Sequence, residues 1–332
     1  MATAASNLAA AARAWLDGLD ETQRDAATFP FEAAERFAWG YTPGPRAGLA
    51  LGDMRPSQRA AASALVAAAT SPRTAREVSD IMALESVLGA LERETGRAGS
   101  DRRDPELYWL AVFGDPGSSG PWSWRIGGHH VAIHLTVADG AVIGVTPSFL
   151  GANPATVPHG PFAGTRTLAA EEDLARRVLS ALTPAERAAA IVADTAPADI
   201  LSGIGRHADV RNVPVGIRQA DVGRAGRAAV EALIRHYVDR SPREVAARAW
   251  DRVIAGGLGD VAFAWSGPEE AGRGHYYAVR GPAFVIEYDN TQNEANHVHS
   301  VWRELANDWG EDLLARHLAA GHPRRDAGPA AS

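Results

Sequence analysis

The spacing of apolar residues first changes character at Glu106, and that change restricts the fold more than any other feature. Before it, Leu8–Leu19, Phe31–Trp39, Ser57–Ala69 and Thr74–Glu94 place apolar residues three and four apart, the period of a helix that buries one face. Ser57 and the pair Ser71-Pro72 read as helix starts, and Gly40–Arg46 as a turn-rich connector. After it come short apolar runs: Leu107–Phe113, Trp122–Ile126, His129–Val137 and Ala141–Thr146, the last two joined by the hairpin signal Ala138-Asp139-Gly140. Pro147–Thr167 reads as a long irregular stretch of the kind that often carries function. Helices are predicted over Glu171–Ser180, Pro184–Ala193, Val222–Tyr237 and Arg243–Ala255, then strands over Val261–Trp265, His275–Val279, Ala283–Tyr288 and His297–Trp302, and a last helix over Gly310–Ala319. The expected class is α+β: N-terminal helices plus two antiparallel β-meanders that form a mixed or antiparallel sheet, with helices intervening.

Composition excludes several chemistries. The chain has no cysteine, which removes disulfides, thiolate metal sites, iron–sulfur clusters and cysteine nucleophiles. All 33 basic residues are arginine, so no lysine serves as Schiff base or phosphate-loop cation. A net charge of −7 argues against nucleic acid as a partner. The alanine-rich start is interrupted by Arg13 and Asp17 and reads as a helix instead of a signal peptide, and no run approaches about 20 apolar residues, so no membrane span is expected. A cytoplasmic location is the default expectation. A metal, if held, must be held by nitrogen and oxygen.

Two histidine motifs supply such ligands. In Asn296-His297-Val298-His299, an extended backbone turns both imidazoles to one side, about 6–7 Å apart at Cα, a separation from which two nitrogens can meet one ion. Glu287 and Asp289 share one face of the preceding strand, opposite Ile286 and Tyr288. In Gly127-Gly128-His129-His130, a regular strand would send the two rings to opposite faces, whereas a bulge at the glycines would bring both to one site. His130 and His134 would lie about 13 Å apart along a strand, too far to share an ion. The candidate ligands are therefore His130, His297, His299 and Glu287, with His129 as alternate or additional ligand; the competing reading is that these are ordinary hydrogen-bonded core imidazoles. Asp289, Asn290 and Asp308 are candidates for orienting the rings, and His275 is a reserve ligand. Arg303, Arg125 and Arg46 could clamp a substrate carboxylate, Arg303 first by its neighbourhood.

The same segments resemble the DUF3500 family of bacterial and fungal proteins of unknown function. The resemblance rests on Trp39-Gly40-Tyr41-Thr42-Pro43, Trp122–His130, Thr146–Pro154, Glu287-Tyr288-Asp289-Asn290, Asn296–Arg303 and Asn307–Gly310. It implies one continuous module, taken as 1–325; the residue pattern divides it into a mainly helical subregion at 1–100 and an α+β subregion at 105–320, and leaves a loose tail at 326–332. It implies no reaction.

The residues together lead to a metal-dependent enzyme acting on a small polar or carboxylate-bearing molecule through iron, copper, manganese or zinc. Dioxygen activation by an oxidoreductase comes first, because imidazoles with one carboxylate suit redox metals. Metal-assisted hydrolysis follows closely, with Glu287 or Asp289 as base. A non-catalytic metal- or ligand-binding module is the third reading. Oligomeric state is left open.

Overall fold

A computed structural model describes residues 3–96 and 102–315. Its α-helices include α1 (Ala4–Asp17), α2 (Glu21–Ala27), α3 (Pro56–Ala69), α4 (Pro72–Glu94), α5 (Ala169–Ala181), α6 (Pro184–Ala190), α7 (Arg224–Val238) and α8 (Arg243–Ala255). The strands are β1 (Thr28–Phe29), β2 (Leu49–Ala50), β3 (Tyr108–Phe113), β4 (Trp122–Gly128), β5 (Val131–Ala138), β6 (Ala141–Gly144), β7 (Ser148–Ala152), β8 (Ile191–Ala193), β9 (Ile217–Arg218), β10 (Ala262–Ser266), β11 (Tyr276–Arg280), β12 (Phe284–Gln292) and β13 (His297–Glu304). They form one mixed sheet in the order β1-β3-β4-β5-β7-β13-β12-β11-β10-β8, with β2, β6 and β9 paired beside that path. Among the described residues, only β1 with β3 and β8 with β10 pair in parallel. The α+β class and both meanders are as the periodicity predicts. No helix among the described residues is long and apolar enough to cross a membrane.

Local chemistry explains most element ends. Ser71 caps α4 through Thr74 N with Pro72 in the first turn, as predicted. α3 starts at Pro56, with Gln58 reaching back to the backbone N–H of Arg55, so Ser57 lies inside the helix and not at its cap. The helix expected over Phe31–Trp39 is replaced by a single 3-10 turn at Ala34–Phe37. Arg125 donates to the carbonyls of Glu35 and Ala38 there, holding acceptors that a longer helix would need for itself, and to that of Ala47 in the loop that follows. The helix expected to reach Ala193 stops at Ala190, and β-branched Ile191 and Val192 enter β8. Residues 311–315 are helical; the rest of the helix expected to Ala319, and the tail at 326–332, lie outside the described residues.

The largest departure is β7. It lies inside the stretch read as irregular, yet pairs with β5 on one side and β13 on the other, and so joins the two meanders into one sheet. The sheet then has two distinct faces. α4, α5, α7 and α8 supply much of the main core on one. On the other, Trp39, Tyr41, Ile200 and Trp309 arrive from loops and pack on Ala132, Phe149 and Val301. The cross-strand rows of that second face run Glu287–Val301–Phe149–Ala132 and Asp289–His299–Gly151. Those rows place the histidines.

Candidate metal centre

His129 and His130 do not extend β5, as the periodicity suggested; they form the two-residue turn between β4 and β5, where Gly128 pairs with Val131. His130 adopts a left-handed backbone at φ 63°, a conformation that costs a non-glycine residue energy and is kept where surrounding contacts enforce it. Its N–H donates to Tyr41 O (2.9 Å) and its carbonyl accepts from Gly151 N (2.8 Å). The turn aims the His130 ring across β7 towards β13. Gly151 gives it room, since a Cβ there would lie 2.8 Å from His130 Cδ2.

His297 and His299, two apart on β13, face the same side as expected, and His130 joins them from the turn. The nitrogens of the three imidazoles can all lie within 4.8 Å of one another. The Nε2 atoms of His130 and His297 are 2.8 Å apart, and ring centroids are separated by 4.6–5.3 Å. Between the two histidines of the first motif, the geometry selects His130. His129 stacks on it at 3.8 Å, but its Nδ1 is held by Glu85 Oε1 at 2.5 Å, and Arg103 stands 3.4 Å off.

Glu287 faces the correct side of the sheet one row away, and its oxygens are committed elsewhere. They accept from Leu201 N (2.6 Å), Ser202 N (3.0 Å) and Tyr276 Oη (2.7 Å), and the residue is not among the imidazole group. It anchors the loop that presents Asp199. Asp199 Oδ1 accepts from His299 Nδ1 (2.8 Å) and from Ile200 N, and Tyr41 Oη donates to Oδ2 (3.1 Å). With Nδ1 so held, His299 presents Nε2 to the other rings, the tautomer typical of a ligand backed by a carboxylate. Asp289 Oδ2 lies 3.3 Å from the same Nδ1, while Oδ1 accepts from Thr291. Nothing in the sequence marks Asp199: it is a lone aspartate in the loop Ala196-Pro197-Ala198-Asp199-Ile200-Leu201, brought in by the anchor at Glu287 and by the packing of Ile200.

The remaining candidates are placed apart. Arg303 is fully buried and donates to Asp308 and to the carbonyls of Gly203, Gly205 and Arg206, which leaves no fork for a substrate carboxylate. Arg125 is spent on the loop carbonyls described above, and Arg46 on Thr42, Gly44 and Pro45. Asp308 serves Arg303, and Asn290 bonds the backbone of His275. His275 stacks between Trp265 and Tyr288. His134 meets Pro147 O from within β5.

Electrostatics suit a cation. Burial, then the neighbouring imidazoles, push His130 well below the usual histidine range, and the same causes bring His297 down to about 3, so both rings are neutral. Burial also opposes charge on His299, but the hydrogen bonds and charges of Asp199 and Asp289 outweigh it and raise it to about 9. Those carboxylates would equally stabilise an ion bound at Nε2. The rings open on a cavity of about 300 Å³ whose other walls include Tyr41, Thr42, Asn153, Gln292, Asn293 and Arg103.

Fold and cluster define an α+β protein with a buried three-histidine centre backed by carboxylates. The family profile described as protein of unknown function (DUF3500) matches residues 1–311, and the chain belongs to that family. No curated protein and no solved structure matches it.

Proposed function

We propose that His130, His297 and His299 hold a divalent transition ion, and that the chain is a metal-dependent enzyme acting on a small polar molecule admitted through the adjoining cavity. The observation that carries this reading is the convergence of three buried imidazoles, two of them held neutral and the third backed by Asp199. Neutral nitrogens are the ligating form, and three protein ligands leave an open position of the kind catalytic centres keep. An ion held this way supplies a Lewis acid that lowers the pKa of water to about 7. With Glu287 committed to the 199–202 loop, no ligand brings a negative charge: His130 and His297 are already neutral, and His299 would give up its proton on binding the ion. That supports activation of water, hence hydrolysis, ahead of activation of dioxygen. Gln292, Asn153 and Asn293 line the cavity as hydrogen-bonding groups that can orient a polar substrate.

Dioxygen activation at iron, copper or manganese is the second reading, and Tyr41 favours it. Its ring lies 4.9 Å from His299 and 4.2 Å from Phe149, a phenol close enough to take part in redox chemistry at the centre. Elemental analysis of protein purified without a histidine tag separates the two. Zinc at one per chain supports hydrolysis, whereas stoichiometric iron, copper or manganese supports dioxygen chemistry. Protein that neither carries an ion nor takes one up on reconstitution would sink both.

A further inference from the structure

A second cavity, about 290 Å³, adjoins the polar one and differs from it in chemistry. Pro43, Pro45, Leu107 and Trp109 give it apolar walls, while Glu85, bound to His129, and the exposed Arg102 also line it. Pro43 and His129 line both cavities, so the His129 ring, pinned by Glu85 and stacked on His130, is the partition between them. Apolar cavities of roughly 150 Å³ suffice to take up benzene, so there is room for an aromatic ring or a short branched chain. Leu107 stays 39% exposed, a large apolar side chain that the fold leaves at the margin of this space. On the polar side, the arginines that could have bound an anion are committed: Arg303, Arg125 and Arg46 to the chain's own acceptors, and Arg103 as a fork on Glu92.

Resting on the metal reading above, we infer that the substrate is amphipathic: a compact polar head at the three histidines, joined over His129 and Pro43 to an aromatic or aliphatic tail lying between Leu107, Trp109 and Pro45. The polar chamber recognises the head through carboxamides and the ion, and the apolar chamber selects the tail.

The test uses zinc-loaded full-length protein and two probes with the same metal-binding head, acetohydroxamic acid and benzohydroxamic acid, titrated by calorimetry with the zinc-free protein as control. The phenyl probe should bind at least about tenfold more tightly, as burial of a ring in an apolar pocket requires. Trp109→Ala and, as a milder change at a part-exposed site, Leu107→Ala should each shrink that preference while leaving acetohydroxamate affinity within about twofold. Equal, zinc-dependent binding of the two probes to the unaltered protein overturns the second chamber and leaves the metal centre standing. A phenyl preference that survives both variants also overturns it, since the ring would then be held elsewhere. Binding of neither probe in a zinc-dependent way removes the metal reading and this inference together.

Discussion

At the scale of single residues, the proposed centre separates groups that would hold an ion from groups that position those groups. His297→Ala and His299→Ala should each abolish stoichiometric metal binding, while circular dichroism and the melting curve stay close to the parent; full retention of metal by both variants would refute the assignment. Asp199→Asn should keep the fold and weaken metal affinity by about 10–100-fold, the usual cost of losing a carboxylate behind a ligating imidazole. Glu287 predicts the opposite pattern. Its two oxygens satisfy Leu201 N, Ser202 N and Tyr276 Oη in a fully buried place, so Glu287→Ala leaves donors unpaired and should cost about 2–4 kcal/mol in denaturant unfolding. The ion should still bind at one per chain, with reduced affinity because Asp199 is less firmly placed. Loss of the ion in that variant at unchanged stability would make Glu287 a ligand after all.

At the scale of elements, the motifs on regular strands are legible in the sequence and the connections that assemble them are not. His297 and His299 follow from strand alternation alone, and the shared face of Glu287 and Asp289 follows from the same period. What Glu287 faces cannot be read that way, because two of its three partners, Leu201 N and Ser202 N, come from a loop 86 and 85 residues earlier in the chain. The choice between His129 and His130 depends on a turn where a strand is expected, and alternation says nothing inside a turn. β7 is hidden for a comparable reason: Ser148-Phe149-Leu150-Gly151-Ala152 is five residues long, flanked by Pro147 and Pro154, and buried on both faces, so neither alternation nor length distinguishes it from loop. Its importance is testable at Gly151. An added Cβ would meet the His130 ring and Val298 O, both at 2.8 Å, and neither the turn nor the β-ladder can yield easily. Gly151→Ala should therefore destabilise by about 1–3 kcal/mol and weaken metal binding, whereas the same change at Gly164, where a Cβ meets nothing but φ is +84°, should cost stability alone.

At the scale of the whole molecule, the sheet divides its labour between faces: loops build the cavity on one, and helices lock the other with a buried ion-pair network. Glu171 on α5 is the centre of that lock. Fully buried, it pairs with Arg240 (3.2 Å) and His236 (3.0 Å), while Arg240 also reaches Ser300 on β13, back to back with His299. Burial alone would raise its carboxyl, but the hydrogen bond and charge of His236, with Arg240 and Arg73, outweigh it and bring it down to about 2 from 4.5. Between those two values the unfolded chain binds a proton that the folded chain refuses. The stabilisation is therefore complete above pH 4.5 and is lost as pH falls towards 2, on the order of 3 kcal/mol in all. Asp308, raised to about 6 chiefly by burial, contributes with the opposite sign between 3.8 and 6, so the raw stability curve mixes several groups. The difference between the parent chain and Glu171→Gln isolates the one in question. The variant should be less stable by about 3–5 kcal/mol at pH 7, where Arg240 loses its counter-charge, and that gap should narrow steadily as pH is lowered from 4.5 towards 2 in denaturant titrations. A gap that stays constant over that range would mean that Glu171 does not titrate there, and that the helical face is held by packing alone.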